Sequence, residues 1–388
     1  MCWRLARQLA LEHDARVTLV IDRPEVLRAI EPRWITAPGP DSALPAFQEG
    51  EAGLRRSGGL VDGVRLELWP DETDADDPSP APDDPSTARV VVSAFGCELP
   101  DRVRRRLRPG GTGARPLWIN LEYLSAEDWV AGCHGLSSTK PADGAVEHFF
   151  YPGFTPETGG LLRERGVVAQ RREFQATGAA RRWLDERGLA ARPGELLVSM
   201  FCYPSSRAAE LFGSIASGER AIRVLLPEGV ALDAVQRTLD RPLDAGKEVT
   251  LGRLTLKRIP LLDQAGYDRL LWSCDLNFVR GEDSWIRAHW AGRPFVWQPY
   301  PQSDAAHQKK LAAFLDRFEL VAGLAPEIRR MMRAWSGTEA LTPVWESYLS
   351  RMGACAAFYG RWSDHLGAQP DLAAKLVEFC RNRLYLTV

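Results

Sequence analysis

The sequence predicts an α/β fold made of two Rossmann-like halves, and three observations lead to this prediction. The 388 residues are enough for two domains of ordinary size. A hydrophobic fraction of 45% and a charged fraction of 26% are typical of a globular protein that buries a core. Short apolar runs alternate with segments of helical periodicity, which is the pattern of parallel strands joined by helical crossovers.

The first half opens on a helix, because apolar residues from Trp3 to Ala10 recur at helical spacing. The β-branched run from Val17 to Ile21 predicts the next strand. The apolar runs Val90 to Ala94 and Pro116 to Asn120 predict two buried parallel strands. The stretch from Asp71 to Thr87 is rich in Asp, Pro and Ser, which predicts a flexible surface insertion. Doubly wound sheets begin on a central strand, so we expect that a first strand is missing.

A second alternating series follows the charged, helix-prone segment from Arg163 to Arg192. Its strands are predicted, in chain order, at Leu196 to Phe201, Ile222 to Leu226, Leu254 to Ile259, Leu276 to Val279 and Phe295 to Trp297. The C-terminal residues carry an apolar helical stripe formed by Leu372, Leu376, Val377 and Phe379, which predicts helices that pack across the domains. We therefore expect an N-terminal domain over residues 1–175, a C-terminal domain over 176–355 and a helical segment over 356–388.

Charge and cysteine content exclude several classes of protein. The formal net charge of −2 provides no basic field, so no nucleic-acid partner is expected. The seven cysteines form no CxxC pair, which argues against a disulfide framework and a zinc site, and no metal is expected. The N-terminus lacks the apolar core of a signal peptide, and no apolar run approaches the ~20 residues of a membrane span. We therefore expect a cytoplasmic protein without a membrane partner.

Two further segments match no catalytic motif. The Arg-rich run from Arg102 to Arg108 is either a solvated helix face or a surface for an acidic protein. The stretch from Gly110 to Gly113 lacks the Lys and Ser of a phosphate-binding loop, and it predicts a mobile turn. The sequence also contains no GxSxG elbow, so it offers no nucleophile for hydrolase chemistry of that kind.

The most informative segment is a strand followed by a polar turn and the start of an amphipathic helix. In the turn, Gly281 permits a tight reversal, while Asp283 and Ser284 suit the helix cap. The N-terminus of the helix would attract a phosphate, and Arg280 adds a fork of donors for the phosphate oxygens. Glu282 is either functional or a partner of the helix dipole, and the spacing leaves both interpretations open.

Glu122 and Tyr123 follow the strand predicted at Pro116 to Asn120. The carboxyl ends of parallel strands face the ligand crevice in open α/β sheets, so both residues are candidates for one side of a cleft. A structural hydrogen bond within the loop is the alternative interpretation for Glu122.

Five separated stretches occur in an order that chance similarity does not explain. They are residues 2–9 (Cys-Trp-Arg-Leu-Ala-Arg-Gln-Leu), 120–125 (Asn-Leu-Glu-Tyr-Leu-Ser), 152–155 (Pro-Gly-Phe-Thr), 201–203 (Phe-Cys-Tyr), and 277–284 followed by 294–297 (Pro-Phe-Val-Trp). Together they resemble the EarP family of elongation factor P arginine rhamnosyltransferases over nearly the whole chain. The last stretch is the most specific.

The resemblance implies an inverting glycosyltransferase of the GT-B type, with two Rossmann-like domains that face a cleft. The N-terminal domain would hold the acceptor protein, elongation factor P, and the C-terminal domain would hold the donor dTDP-β-L-rhamnose. L-Rhamnose would pass to an arginine side chain of the acceptor. No cofactor and no metal are implied.

The resemblance also implies roles for single residues. Glu282 looks like the catalytic glutamate of the family, and Arg280, Asp283 and Ser284, with the turn at Gly281, look like its diphosphate-binding residues. Three more residues resemble those that line the thymine and sugar pocket, namely Phe201, Tyr203 and Gln264. An aromatic residue at a strand end, such as Phe201, would otherwise be expected in the core.

One departure from the family concerns the start of the chain. Family members carry a strand and an Asp-Asn-Phe-Gly-Asp segment directly before the stretch that begins at Cys2, and those aspartates look like acceptor-side catalytic carboxylates. A misassigned start codon is our explanation. We expect the chain as written to bind dTDP without transferring the sugar. The alternatives are another GT-B sugar-nucleotide enzyme, or an inactive module that binds the elongation factor or the nucleotide.

Overall fold

The computed structural model describes residues 1–34, 49–50, 53–54, 60–69, 88–109, 115–302 and 304–385. The predicted surface insertion at residues 71–87 and the predicted turn at residues 110–113 lie outside these ranges. The chain forms two compact units. Unit 1 comprises Met1–Arg165 with Pro370–Val388, and unit 2 comprises Gly166–Gln369.

Helices and strands alternate along most of the described chain. The helices are α1 (Cys2–His13), α2 (Pro24–Ile30), α3 (Asp101–Leu107), α4 (Trp129–Cys133), α5 (Val167–Ala176), α6 (Ala179–Glu186), α7 (Ala208–Ser217), α8 (Leu232–Leu239), α9 (Gln264–Ser273), α10 (Asp283–Ala291), α11 (Ala306–Ala322), α12 (Pro326–Trp335), α13 (Leu341–Gly367) and α14 (Leu372–Tyr385), with a 3-10 turn at Pro32–Trp34. The strands are β1 (Val17–Ile21), β2 (Glu49–Gly50), β3 (Gly53–Leu54), β4 (Leu60–Val61), β5 (Val64–Leu68), β6 (Val90–Ala94), β7 (Leu117–Leu121), β8 (Ser137–Thr139), β9 (Val146–Phe150), β10 (Leu196–Met200), β11 (Ile222–Pro227), β12 (Glu248–Leu251), β13 (Leu254–Ile259), β14 (Leu276–Arg280) and β15 (Phe295–Gln298).

Unit 1 contains two main sheets in its described part. One has the strand order β1-β5-β4 and the other has the order β6-β7-β9-β8. The pairs β1/β5, β6/β7 and β7/β9 are parallel, whereas β4/β5 and β8/β9 are antiparallel. The pair β2/β3 forms a small antiparallel ladder. The carboxyl ends of β6, β7 and β9 therefore lie at one edge of the second sheet.

Unit 2 is built on one sheet with the strand order β12-β13-β11-β10-β14-β15. All neighbouring strands are parallel except β12 and β13, which form a hairpin. The chain runs outward from β10 through β11 to β13, and then returns to place β14 on the other side of β10. The strand order thus reverses between β10 and β14. In sheets of this kind ligands bind at the carboxyl ends of the strands that flank the reversal.

Polar side chains fix β14 against β10 and α9 beneath this reversal. The Ser199 hydroxyl donates to Asn277 Oδ1 at 2.5 Å, and Asn277 Nδ2 donates to the Leu271 carbonyl at 3.0 Å. Asp275 Oδ2 accepts from the Leu197 amide at 2.8 Å. Because unpaired polar groups are costly in a core, these bonds favour a single register of the two strands.

Helices α9 and α10 are joined by a buried ion pair. Arg287 Nε and Nη2 donate to the two carboxylate oxygens of Asp268 at 2.8 and 2.7 Å, and both side chains are buried. A bidentate pair of this kind fixes orientation as well as distance. It holds α10 in a defined position relative to α9.

Predicted strands largely coincide with observed ones. The strands predicted at Val17 to Ile21, Val90 to Ala94 and Leu254 to Ile259 match β1, β6 and β13 residue for residue. The other predicted strands differ from β10, β11, β14 and β15 by one residue at one end, and the strand predicted at Pro116 to Asn120 is shifted by one residue from β7. The prediction missed β2, β3, β4, β5, β8, β9 and β12. Among these, the sequence of β5, Val-Arg-Leu-Glu-Leu, shows the alternation of a half-buried strand.

The compact units differ from the predicted domain limits at residues 175 and 356. Helix α5 packs on α9 and α10, so the chain joins unit 2 from Gly166 onward. Helix α13 is continuous through residue 356 and belongs to unit 2, whereas α14 belongs to unit 1. Two hydrogen bonds explain the placement of α14: Gln8 Nε2 donates to Asp371 Oδ1 at 3.1 Å, and the Leu372 amide donates to the Leu161 carbonyl at 2.9 Å.

Aromatic rings form the core behind α10 and β15. Trp285 and Trp297 stack with centroids 3.6 Å apart and planes at 6°. Phe314 packs edge-on against both indoles.

His289 lies among the same rings and accepts a hydrogen bond at Nδ1 from Trp362 Nε1 at 3.0 Å. Burial lowers the pKa of His289 to about 3, so its imidazole is neutral in the folded protein at neutral pH.

We expect His289 to make unit 2 less stable in mild acid. Its folded pKa of about 3 lies below its unfolded value of 6.5. The unfolded chain therefore binds one more proton between these pH values, and stability is lost as the pH falls. The contribution of His289 to the free energy of unfolding should fall by about 1.4 kcal/mol per pH unit from pH ~6 to ~4. Urea unfolding of the parent and of His289→Gln at several pH values measures this pH dependence. Glutamine is chosen because its amide oxygen can still accept the hydrogen bond from Trp362. Equal pH slopes for both proteins would contradict this expectation.

Candidate functional site

The carboxyl ends of β10 and β14 hold an arginine between two aromatic rings. The Arg280 guanidinium carbon lies 4.3 Å from the centroid of the Phe201 ring and 4.8 Å from that of the Tyr203 ring. Arg280 Nη1 donates to the carbonyl of Cys202 at 2.9 Å. Cation–π contacts with these rings and the hydrogen bond fix the guanidinium in place.

The charge of Arg280 is not neutralised within the described part of unit 2. Its side chain makes the one hydrogen bond to Cys202, and no described carboxylate forms an ion pair with it. An arginine side chain stays protonated under all ordinary conditions. The remaining guanidinium donors are therefore available to an anion at the carboxyl end of the sheet.

The turn after β14 requires glycine at residue 281. Gly281 has φ +58°, which is a left-handed conformation, and a Cβ atom there would lie 2.9 Å from the hydroxyl of Tyr203. Two hydrogen bonds tie this residue to β15. The Gly281 amide donates to the Gln298 carbonyl at 3.3 Å, and Trp297 Nε1 donates to the Gly281 carbonyl at 2.9 Å.

The cap of α10 differs from the prediction. Glu282, not Asp283 or Ser284, is the N-cap residue, and its side chain makes no capping hydrogen bond. Asp283 is the first helical residue and is half-buried. The Ser284 hydroxyl accepts from the Arg280 amide at 3.0 Å and donates to the Arg280 carbonyl, because Gly281 folds the chain back onto the strand end. The Ser284 side chain thus closes the turn, and its proton is already engaged.

Two residues that hold Tyr203 were absent from the predicted site. Gln298 Oε1 accepts from the Tyr203 amide at 3.0 Å, and the exposed ring of Tyr300 packs edge-on against Tyr203 with centroids 5.4 Å apart. Burial raises the pKa of Tyr203, while the Arg280 cation opposes the rise and the Glu282 carboxylate adds to it. The carboxylate of Glu282 is therefore within electrostatic reach of the Tyr203 hydroxyl.

Gln264 lies at the same edge of the sheet of unit 2. It is the first residue of α9 and is buried, and the preceding Asp263 caps the helix by accepting from the Gly266 amide at 2.6 Å. One turn further on, the ring of Tyr267 lies 5.9 Å from that of Phe201. Gln264 thus begins the helix whose next turn packs against one of the two rings that hold Arg280.

Glu122 and Tyr123 belong to unit 1 and follow β7. Glu122 Oε1 accepts a hydrogen bond from Asn120 Nδ2 at 3.0 Å. This is a structural hydrogen bond of the kind that was the alternative interpretation for Glu122. Burial raises the pKa of Glu122, and the neighbouring carboxylate of Glu147 adds to the rise. Tyr123 is 51% exposed, and its ring packs against Phe95 with centroids 5.0 Å apart. The two residues form a separate candidate surface at the carboxyl end of the unit 1 sheet.

The described residues contain no group of three or more His, Cys, Asp and Glu side chains that could hold a metal ion. None of the helices that the structure describes is both long and apolar enough to cross a membrane.

Comparison with known proteins places the chain in one family. Protein-arginine rhamnosyltransferase of Pseudomonas putida is 39% identical, with 98% of this chain and 94% of the relative covered. The protein of the same name from Pseudomonas aeruginosa is 38% identical, over 97% of this chain and 93% of the relative. Both similarities extend over nearly the whole chain.

A solved structure agrees with these relatives. It is described as the structural basis for EarP-mediated arginine glycosylation of translation elongation factor EF-P, and it is 35% identical. The TM-score is 0.53, with 60% of this chain and 75% of the other covered. The similarity confirms the predicted α/β fold of the GT-B type. Residues 1–381 match the family described as Elongation-Factor P (EF-P) rhamnosyltransferase EarP, so the chain belongs to that family and is an arginine glycosyltransferase.

Proposed function

We propose that this enzyme transfers L-rhamnose from dTDP-β-L-rhamnose to an arginine side chain of elongation factor P, with inversion at the sugar carbon. The observation that carries the proposal is the cation of Arg280, which has no described carboxylate partner and lies where the strand order of the unit 2 sheet reverses. A diphosphate is the kind of anion that such a cation binds. The family relationship indicates which diphosphate and which acceptor to test first.

The donor diphosphate is proposed to bind between Arg280 and the N-terminus of α10. The guanidinium fork matches phosphate oxygens in geometry, and the helix dipole contributes about 0.3–1 kcal/mol at an exposed site. Ser284 would have to exchange its present contact with the Arg280 carbonyl for a phosphate oxygen. Asp283, the first residue of α10, is proposed as a further diphosphate-binding residue. The leaving diphosphate would thus be stabilised by protein donors.

The thymine and sugar are proposed to occupy the aromatic side of the same pocket. The rings of Phe201 and Tyr203 are half-buried and already flank a planar cation. Aromatic faces of this kind also stack on nucleobases. Gln264 would supply a polar group from the start of α9, at the same edge of the sheet.

Glu282 is proposed as the catalytic residue. A guanidinium is a poor nucleophile because its lone pairs are delocalised into the cation. A carboxylate can orient one nitrogen and take its proton as the C–N bond forms, while the sugar carbon passes through an oxocarbenium-like state. Glu282 stands at the N-cap of α10, two residues from Arg280, so the carboxylate lies beside the proposed diphosphate site.

The acceptor is proposed to bind unit 1 near Glu122 and Tyr123. Glu122 would attract the guanidinium of the acceptor arginine, and the exposed ring of Tyr123 offers a stacking surface for it. We propose that the enzyme acts in the cytoplasm, because its proposed acceptor is a translation factor. Neither nucleic acid nor membrane is a proposed partner, and no metal or cofactor is proposed to take part.

The proposal is tested by incubating the protein with elongation factor P and dTDP-β-L-rhamnose, followed by mass spectrometry of the elongation factor. The experiment is run with the chain as written and with the chain extended upstream by the segment that family members carry. We expect a mass gain of one deoxyhexose on a single arginine with the extended chain. Sugar transfer that does not depend on elongation factor P would identify another sugar-nucleotide enzyme. Binding of both substrates without any transfer, in either version, would identify a binding module.

We expect Glu282→Gln to lower the rate of rhamnosyl transfer by ~10²–10⁴, because the change keeps the size of the side chain but removes the carboxylate. The affinity for dTDP should stay within about twofold, since Glu282 is not assigned to the diphosphate. Single-turnover rates and calorimetry, both in the extended chain, measure the two quantities. A rate within tenfold of the parent would refute the catalytic role.

We expect Arg280→Ala to weaken dTDP binding by about 10- to 100-fold, because hydrogen bonds to a charged group are lost. Ser284→Ala should cost less, about 2- to 10-fold, since its hydroxyl is neutral. The matched control is Arg237→Ala, which removes an exposed arginine from α8 in the same unit. Isothermal titration calorimetry measures the dTDP affinity of the parent and of each variant. Unchanged affinity in both pocket variants would place the nucleotide elsewhere.

A further inference from the structure

Gln298 is the last residue of β15, and it is 5% exposed. In the strand register it lies opposite Arg280, the last residue of β14. The strand order is β10-β14-β15, so β14 separates Gln298 from the loop that follows β10. Its side chain nevertheless reaches that loop, where Oε1 accepts from the Tyr203 amide at 3.0 Å. Gln298 therefore spans the end of β14.

The hydrogen bonds around the strand ends show why this contact is needed. The Phe201 amide continues the ladder between β10 and β14 by donating to the Phe278 carbonyl at 2.9 Å. The next donor in a parallel ladder is the Tyr203 amide, and its acceptor would be the Arg280 carbonyl. That carbonyl instead accepts from the Ser284 hydroxyl, because the chain turns at Gly281 into α10. The Gln298 side chain supplies the acceptor that β14 no longer offers.

The position of Tyr203 affects both sides of the pocket. Its ring covers one face of the Arg280 guanidinium, and its hydroxyl lies against Gly281. Pro204 follows, so the backbone of Tyr203 is restricted to extended conformations, which suits a ladder-like contact. Through its own carbonyl Gln298 also accepts from the Gly281 amide. One residue thus connects the Tyr203 loop to the turn that carries Arg280.

We propose that Gln298 is a positioning residue that sets the place of Tyr203 against Arg280 and thereby the affinity for the nucleotide. The proposal rests on the proposed donor pocket. Gln298 is assigned no contact with the nucleotide. Its effect on nucleotide binding passes through Tyr203, so the effect should disappear when the Tyr203 side chain is absent.

A double-mutant cycle with calorimetry of dTDP binding tests this. The proteins are the parent, Gln298→Met, Tyr203→Ala and the double variant, with thermal unfolding measured in parallel. Methionine keeps the length of the side chain but offers no oxygen acceptor. We expect Gln298→Met to weaken dTDP binding by about 3- to 10-fold in the parent, which is the effect of one hydrogen bond. In the Tyr203→Ala background the loss should be under about twofold, since coupled residues are not additive.

Other outcomes distinguish a failure of the positioning role of Gln298 from a failure of the proposed donor pocket. An equal loss in both backgrounds, or no loss from Gln298→Met beside a clear loss from Tyr203→Ala, would overturn the positioning role and leave the pocket standing. No loss from any variant would overturn the proposed donor pocket itself. If Gln298→Met does not fold, Gln298→Asn takes its place in the cycle. It keeps the amide but is one methylene too short to reach Tyr203, and the same results support or overturn the proposal.

Discussion

The cation of Arg280, held between two aromatic rings without a described carboxylate partner, is the constraint on which the proposed site depends. A half-buried guanidinium without a counter-ion is costly unless something offsets its desolvation. The faces of Phe201 and Tyr203 and the carbonyl of Cys202 offset part of that cost. The remaining donors are directed by the same contacts, so an arriving diphosphate meets a cation that is already fixed. Preorganisation of this kind lowers the cost of binding.

The neighbouring elements keep that cation in place. The Gly281 turn is tied to β15 on both its amide and its carbonyl, and the indole of Trp297 that makes one of these bonds stacks on Trp285 in the core. A change in the aromatic core behind α10 would therefore reach the site through Trp297. The ion pair between Arg287 and Asp268 acts in parallel, because it fixes α10 against the helix that begins at Gln264.

The sequence predicted the parts of the site that depend on local pattern. Short apolar runs located the strands, and the polar turn with Gly281 located the start of α10. The same reasoning missed the partner of the Ser284 hydroxyl, because a serine near a helix start can either cap the helix or bond back to the strand end, and local spacing does not decide between them. It also missed Gln298, whose contact with Tyr203 joins residues 95 positions apart. Such contacts depend on strand order, which periodicity does not give.

A crystal structure of the protein with dTDP tests the central claim most directly. We expect oxygens of the diphosphate within about 2.7–3.2 Å of the Arg280 guanidinium nitrogens, with the thymine ring against the aromatic side chains at the end of β10. Clear density for dTDP at another place in the chain, with Arg280 still lacking an anionic partner, would contradict the assignment of this strand-order reversal as the donor site.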